Sequence, residues 1–162
     1  KDIALQVGFT AQRSEYKQAE AWSEDPNVAP TRKMPRTPNY YGYFTLSSQP
    51  LKNFDVALSG VYTGRMHVPH FAPDPSEIPA DFPYTYITQD ELKHTPDFMD
   101  FNLKLNYTFI FNEHLKVQLN GGVQNIFNAF QKDFDKGTFR DSGYFYGPTQ
   151  PRTYFVGIKI MN

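Results

Sequence analysis

Three stretches of the chain, Leu103–Phe109 (LKLNYTF), Leu115–Gly121 (LKVQLNG) and Tyr154–Ile160 (YFVGIKI), keep one face apolar and the other mostly polar or small, with a period of two. Successive side chains of a β-strand point to opposite faces, so each stretch reads as a strand with one face for an apolar medium and one that tolerates water. Two architectures meet that demand. In a soluble sandwich the apolar face packs on a second sheet, whereas in an outer-membrane barrel it meets lipid and the polar face lines the lumen.

Six such segments are expected, at about 2–13, 39–49, 53–66, 98–111, 114–127 and 152–161. Each reaches the roughly ten residues that a tilted barrel strand needs to cross an outer membrane. In the third, Phe54, Val56, Leu58, Gly60 and Tyr62 oppose Asp55, Ala57, Ser59, Val61 and Thr63. In the fourth, Met99, Phe101, Leu103, Leu105, Tyr107 and Phe109 oppose Asp100, Asn102, Lys104, Asn106 and Thr108.

Connection length carries the argument further. Tight turns are expected around Pro50-Leu51-Lys52-Asn53 and Phe111-Asn112-Glu113-His114, while the gaps at about 14–38, 67–97 and 128–151 are long. Short turns at one end and long loops at the other are the pattern of outer-membrane barrels, and soluble domains rarely carry several long structureless loops. Pro69, Pro73, Pro75, Pro79 and Pro83 argue against strand or helix in the second long gap. Six strands place the C-terminus on the side of the short turns.

Composition removes other classes. With net charge −1 over 162 residues the chain lacks the basic balance of a nucleic-acid binder. No cysteine is present, so neither a disulfide scaffold nor a thiolate metal site is available. No run approaches the about eighteen consecutive apolar residues of a spanning helix, a test that a barrel escapes. Aromatic residues make up 17% of the chain, as rows of ring-bearing strands and interfacial girdles require. The first residues already alternate like a strand with no signal-peptide pattern, so the chain is expected to be a fragment with sequence missing upstream.

The sequence resembles the C-terminal end of a TonB-dependent outer-membrane receptor. The resemblance rests on four stretches: Met34-Pro35-Arg36-Thr37-Pro38-Asn39-Tyr40-Tyr41-Gly42, Val61-Tyr62-Thr63-Gly64-Arg65-Met66, Gly122-Val123-Gln124-Asn125-Ile126-Phe127-Asn128, and Gly143 to Tyr154 (GYFYGPTQPRTY). It implies an all-β fold, an antiparallel up-and-down transmembrane β-barrel segment of about six C-terminal strands from a 22-stranded barrel. It also implies an N-terminal plug, absent here, that binds substrate and couples to the TonB complex. The implied function is active uptake of a ferric siderophore, with cobalamin or haem as rival ligands, in contact with outer-membrane lipid. One departure stands out: the family's last strand usually finishes on an aromatic residue, and here Ile160 is followed by Met161 and Asn162. The rival reading from the residues alone is a soluble or surface-exposed β-sandwich that binds a glycan or a protein.

Candidate ligand-binding residues lie in the external loops: Arg65, His67, His70, Tyr144 and Tyr146. Arg65 suits an anionic chelate, the two histidines a chelate or haem as it enters, and the tyrosines a planar ligand; the alternative readings are ordinary surface-loop histidines and aromatic residues that sit at the outer interface or in a packed loop. His67, His70 and Asp74, with His94 farther along, are also metal-ligand types, but H-x-x-H in an irregular loop has no fixed geometry, and no metal or cofactor is expected. Tyr84 and Tyr86 join the aromatic candidates, while Arg140-Asp141 and Lys132-Asp133 read as solvated loop charges. No nucleophile elbow, paired-carboxylate motif, phosphate-cradling loop or zinc-binding helix is present, so no enzyme is expected.

Overall fold

The computed structural model describes residues 2–162. Six long strands form one antiparallel sheet in simple sequence order, β1 (Ile3–Ala11), β4 (Tyr40–Leu51), β5 (Phe54–Thr63), β8 (Phe98–Asn112), β9 (Leu115–Gln124) and β10 (Thr153–Met161). Each strand pairs with the next, so the topology is the up-and-down meander expected of a barrel wall. The sheet is open, with β1 and β10 at its edges. Six strands are too few to close a wide barrel.

The register carries the two-sided pattern across the sheet without a break. Leu5 faces Leu46, Leu46 faces Leu58, Leu58 faces Leu103, and Leu103 faces Val123, which faces Tyr154. Directly opposed residues share a face, so these side chains make one apolar row across all six strands. The opposite face carries Gln6, Thr45, Ala57, Ser59, Asn102, Lys104 and Gly122. Among the described residues no second sheet covers the apolar row: the remaining strands form two-stranded ribbons, β2 (Glu15–Glu20) with β3 (Thr31–Lys33) and β6 (His67–His70) with β7 (Glu91–His94). A sandwich needs the facing sheet, and the fold lacks it.

Both short turns are two residues long, Lys52-Asn53 and Glu113-His114. Asn53 takes φ of 63°, a left-handed conformation that asparagine tolerates, and this lets Leu51 pair with Phe54 across the turn. The long connections are not structureless, which corrects the expectation from their prolines. Pro69 lies inside β6, paired with Leu92 in a ribbon that has no third strand to demand its missing donor. Pro75 opens a 3-10 turn, Pro75–Glu77, where the first amide needs no intrahelical partner.

Gly8, Gly60 and Gly122 sit directly across from Tyr43, Phe44 and Phe155 respectively. The rings lie over them, and a Cβ at these glycines would meet the ring atoms at 2.4, 2.3 and 2.8 Å respectively.

Candidate functional site

All three long connections emerge at one end of the sheet and lock together into a single loop body. The buried hydrophobic core of the described residues is here: Val68, Tyr144 and Tyr146, with Met66 and Phe98 packed against it. Phe98 opens β8, so its contact with Tyr146, 5.5 Å between ring centroids, seats the body on the wall.

His70 and Tyr144 stack at 3.7 Å with planes 10° apart. The ring nitrogens of His70 reach Asp135 at 2.9 Å and Glu91 at 3.4 Å. The hydroxyl of Tyr144 donates to Asp133 Oδ2 at 2.8 Å, and that of Tyr146 donates to Asp133 Oδ1. Gln131 Oε1 accepts from the Tyr146 amide at 3.0 Å, and its amide nitrogen donates to the Tyr144 carbonyl at 3.4 Å. Two phenols and one carboxylate therefore hold each other in a fixed fork.

The protonation energetics follow from that geometry. Partial burial pushes the Asp133 carboxyl up, but the Tyr146 and Tyr144 hydroxyls and nearby donors outweigh it and hold the carboxyl below its usual range. Burial first, and then the bond to Asp133, raise both phenols, and Tyr146 is pushed up to about 12. The tyrosines are thus neutral donors throughout the physiological range.

Arg36 ties the first loop to the third. Its Nη1 donates to the Phe145 carbonyl at 2.9 Å, Nη2 donates to the Gly143 carbonyl, and the guanidinium lies 5.2 Å from the Phe145 ring centroid. Ser23 Oγ donates to Asp90 at 2.5 Å, joining the first loop to the second, and Asp90 also accepts the Ala72 amide at 2.8 Å. Asp141 accepts the Phe71 amide at 2.9 Å and the Gly143 amide at 2.7 Å. Asp133 and Asp141 are therefore not free solvated charges. Each lies where amides or phenols from distant segments converge, and a carboxylate can accept several such bonds at once.

The five candidate ligand residues are divided between two settings. His70, Tyr144 and Tyr146 come together, but as the buried interior of the loop body, with their polar atoms directed at one another and at carboxylates. Arg65 is exposed just beyond β5, and His67 lies half-buried on the other face of β6, opposite His94. Asp74 caps the 3-10 turn by accepting from the Ser76 amide at 2.8 Å and Ser76 Oγ at 2.7 Å, which holds its carboxyl below the usual range. Tyr84 and Tyr86 gather around Phe82 with ring centroids at 5.6 and 6.4 Å.

Below the body, the Gly147–Gln150 segment overhangs the polar face of the sheet and encloses an open cleft of about 650 Å³. Thr45, Ser59, Asp100, Asn102 and Lys104 form its floor. Asp100 Oδ1 is buried without a hydrogen-bond partner, as is Asn106 Oδ1 farther down the same face. The alternation in the third and fourth strands places Ser59, Asp100, Asn102, Lys104 and Asn106 on the lumen side, but it carries no signal for the overhang or for Thr45.

Asn125 joins wall to body. It is 2% exposed with φ of 49°, its Nδ2 donates to the Ala129 and Gln150 carbonyls at 2.9 Å each, and its Oδ1 accepts the Ala129 amide at 2.7 Å. The Asn128 backbone amide donates to the Asn125 carbonyl at 2.8 Å, closing a turn over Ile126-Phe127.

No protein-family model matches the chain, and no curated protein matches it by sequence. Among solved structures, the chain is similar to the ferric-catecholate import receptor Fiu from E. coli K12 in its closed form, with a TM-score of 0.55 and 22% identity. That match covers 98% of this chain and 18% of the receptor's, so the chain spans under a fifth of the length of the protein it resembles. The likeness is one of fold: the open six-stranded meander is similar to part of an import receptor of much greater length.

Proposed function

We propose that this chain is a wall segment with its external loops from a TonB-dependent receptor of the bacterial outer membrane, serving uptake of a ferric siderophore. The observation that carries the reading is the continuous apolar row on one face of a single sheet, with polar and small residues on the other and every long loop at one end. Such a sheet suits lipid on one side and a hydrated lumen on the other, because every backbone group of an inner strand is paired. The likeness to a ferric-catecholate import receptor favours an iron chelate over cobalamin or haem.

In this reading the loop body stands above the lumen as a preformed rim. Arg65 and His67 are the candidate residues available for first contact with an anionic chelate, while His70, Tyr144 and Tyr146 keep the rim in shape. A plug elsewhere in the full polypeptide would complete the site and couple it to TonB. The open edges at β1 and β10 would pair with neighbouring strands of the complete barrel.

The test is the native polypeptide in isolated outer membranes, detected with an antibody against residues 67–97. The expected result is a heat-modifiable band several times heavier than 18.7 kDa, together with TonB-dependent uptake of labelled ferric chelate. A soluble native band near 18.7 kDa would overturn the reading.

A further inference from the structure

The β6–β7 ribbon has two unlike faces. Val68 and His70 turn into the loop body, and His67 turns the other way. His67 pairs directly with His94 in the register, and the two imidazoles lie 4.8 Å apart between centroids, tilted by 33°. The backbone on each side is pinned, with the Arg36 amide donating to the His67 carbonyl at 2.7 Å and the Thr95 amide to the Met66 carbonyl at 2.9 Å.

A third group defines which way the ligand atom of His67 points. Lys33 Nζ lies 3.1 Å from His67 Nε2. An ammonium only donates, so Nε2 is the acceptor and its lone pair is already directed at a cation. An imidazole nitrogen whose lone pair is free of a proton is the form that ligates metal.

We propose that His67 and His94 form a two-histidine site for a divalent first-row transition ion, with water completing the coordination and Lys33 as the cation that the metal displaces. Two imidazoles select zinc, nickel or copper over magnesium or calcium, which prefer oxygen ligands. No group of three or more His, Cys, Asp or Glu side chains able to hold a metal is present among the described residues, so the proposed site has two protein ligands and water must supply the rest. Its location gives it a consequence. The pair is the outermost rung of the ribbon, at the opposite end from His70 and Glu91, which flank the segment between Phe71 and Asp90, so a bridging ion would fasten both ends of the longest connection.

The experiment is calorimetric titration of the full-length protein in detergent with Zn²⁺. The wild type is expected to bind, and H67A and H94A each to weaken binding by about tenfold or more, as loss of one of two ligands demands. K33M is expected to tighten it by about fivefold, the effect of removing a like charge a few ångströms away in a hydrated setting. Limited proteolysis between Phe71 and Asp90 should slow when Zn²⁺ is added to wild type and K33M, but not to the double histidine variant. Absence of Zn²⁺ binding in the wild type, unchanged binding in the double variant, or weaker binding in K33M would overturn the proposal. The K33M arm keeps both ligands in place and stays informative if a histidine variant folds poorly. A full-length protein found outside the membrane would sink the receptor reading yet leave this titration interpretable.

Discussion

Val156, in the middle of a nine-residue strand of the main sheet, is 86% exposed, whereas Val68, in a four-residue strand inside a loop, is 0% exposed. The same side chain meets opposite fates, and the inversion runs through the molecule. Ile3, Leu5, Val7 and Phe9 of β1 and Ile158 and Ile160 of β10 stand open, while the tyrosines of the third loop are packed away. In a protein surrounded by water alone, strands form the core and loops the surface. Here the wall relies on its surroundings for stability, and the loop body carries its own interior. An apolar surface of this extent implies a covering medium.

A charge on the apolar row should have the largest effect on the wall. Leu103→Lys is expected to destabilise the full protein in lipid vesicles by about 2–4 kcal/mol, the cost of a cation near the mid-depth of a bilayer, whereas Ser59→Lys on the polar face should stay within about 1 kcal/mol. Urea unfolding in vesicles measures both. Equal effects would show that the two faces do not meet different media.

Next in size is the joint between wall and body. Asn125→Ala removes three side-chain hydrogen bonds at a left-handed position and is expected to cost about 2–3 kcal/mol. Hydrogen exchange should report the loss in residues 125–150 with β8 unchanged.

A smaller effect is expected from Asp133→Asn, which turns two charge-assisted phenol contacts into neutral ones at about 1–2 kcal/mol. Exchange should rise between Gln131 and Tyr146 only.

The smallest effect is in pH. The folded carboxyl of Asp133 lies below its unfolded value, so its contribution is complete above about pH 4 and disappears as pH falls through the depressed folded value. The folded phenol of Tyr146 lies above its unfolded value, so its contribution is complete below about pH 10 and disappears as pH rises through about 12. Tyrosinate absorbance and exchange in the loop body should track those two edges, and the acid edge should vanish in Asp133→Asn.

The strands were legible because their signal is local. Alternation in Leu103–Phe109 requires only the neighbouring residues, and the observed strand bounds fall within a few residues of those expected. The apolar row and the short turns at Lys52-Asn53 and Glu113-His114 were legible for the same reason. The loop body was not. Its contacts join residues far apart in sequence, as with His70 and Asp135, Arg36 and Phe145, or Ser23 and Asp90. No period connects such pairs, and a proline-rich stretch reads the same whether its ends meet in a ribbon or not. His70, Tyr144 and Tyr146 were noticed for chemistry that suits a ligand, and the fold gives that chemistry a task inside the protein. The nearest usable clue was the spacing of aspartates at 133, 135 and 141 beside the tyrosines.

The three glycines lying under aromatic rings bear on how such a wall reaches one arrangement during assembly. A slip of one residue between neighbouring strands is self-correcting, because it throws every apolar side chain to the wrong side. A slip of two preserves the alternation and would pass that test. It would, however, set Tyr43 against Gln6 or Thr10, Phe44 against Leu58 or Tyr62, and Phe155 against Asn120 or Gln124, none of which leaves a ring room to lie flat. Glycine and ring thus act as a key and its slot, admitting one alignment among those the alternating pattern cannot tell apart.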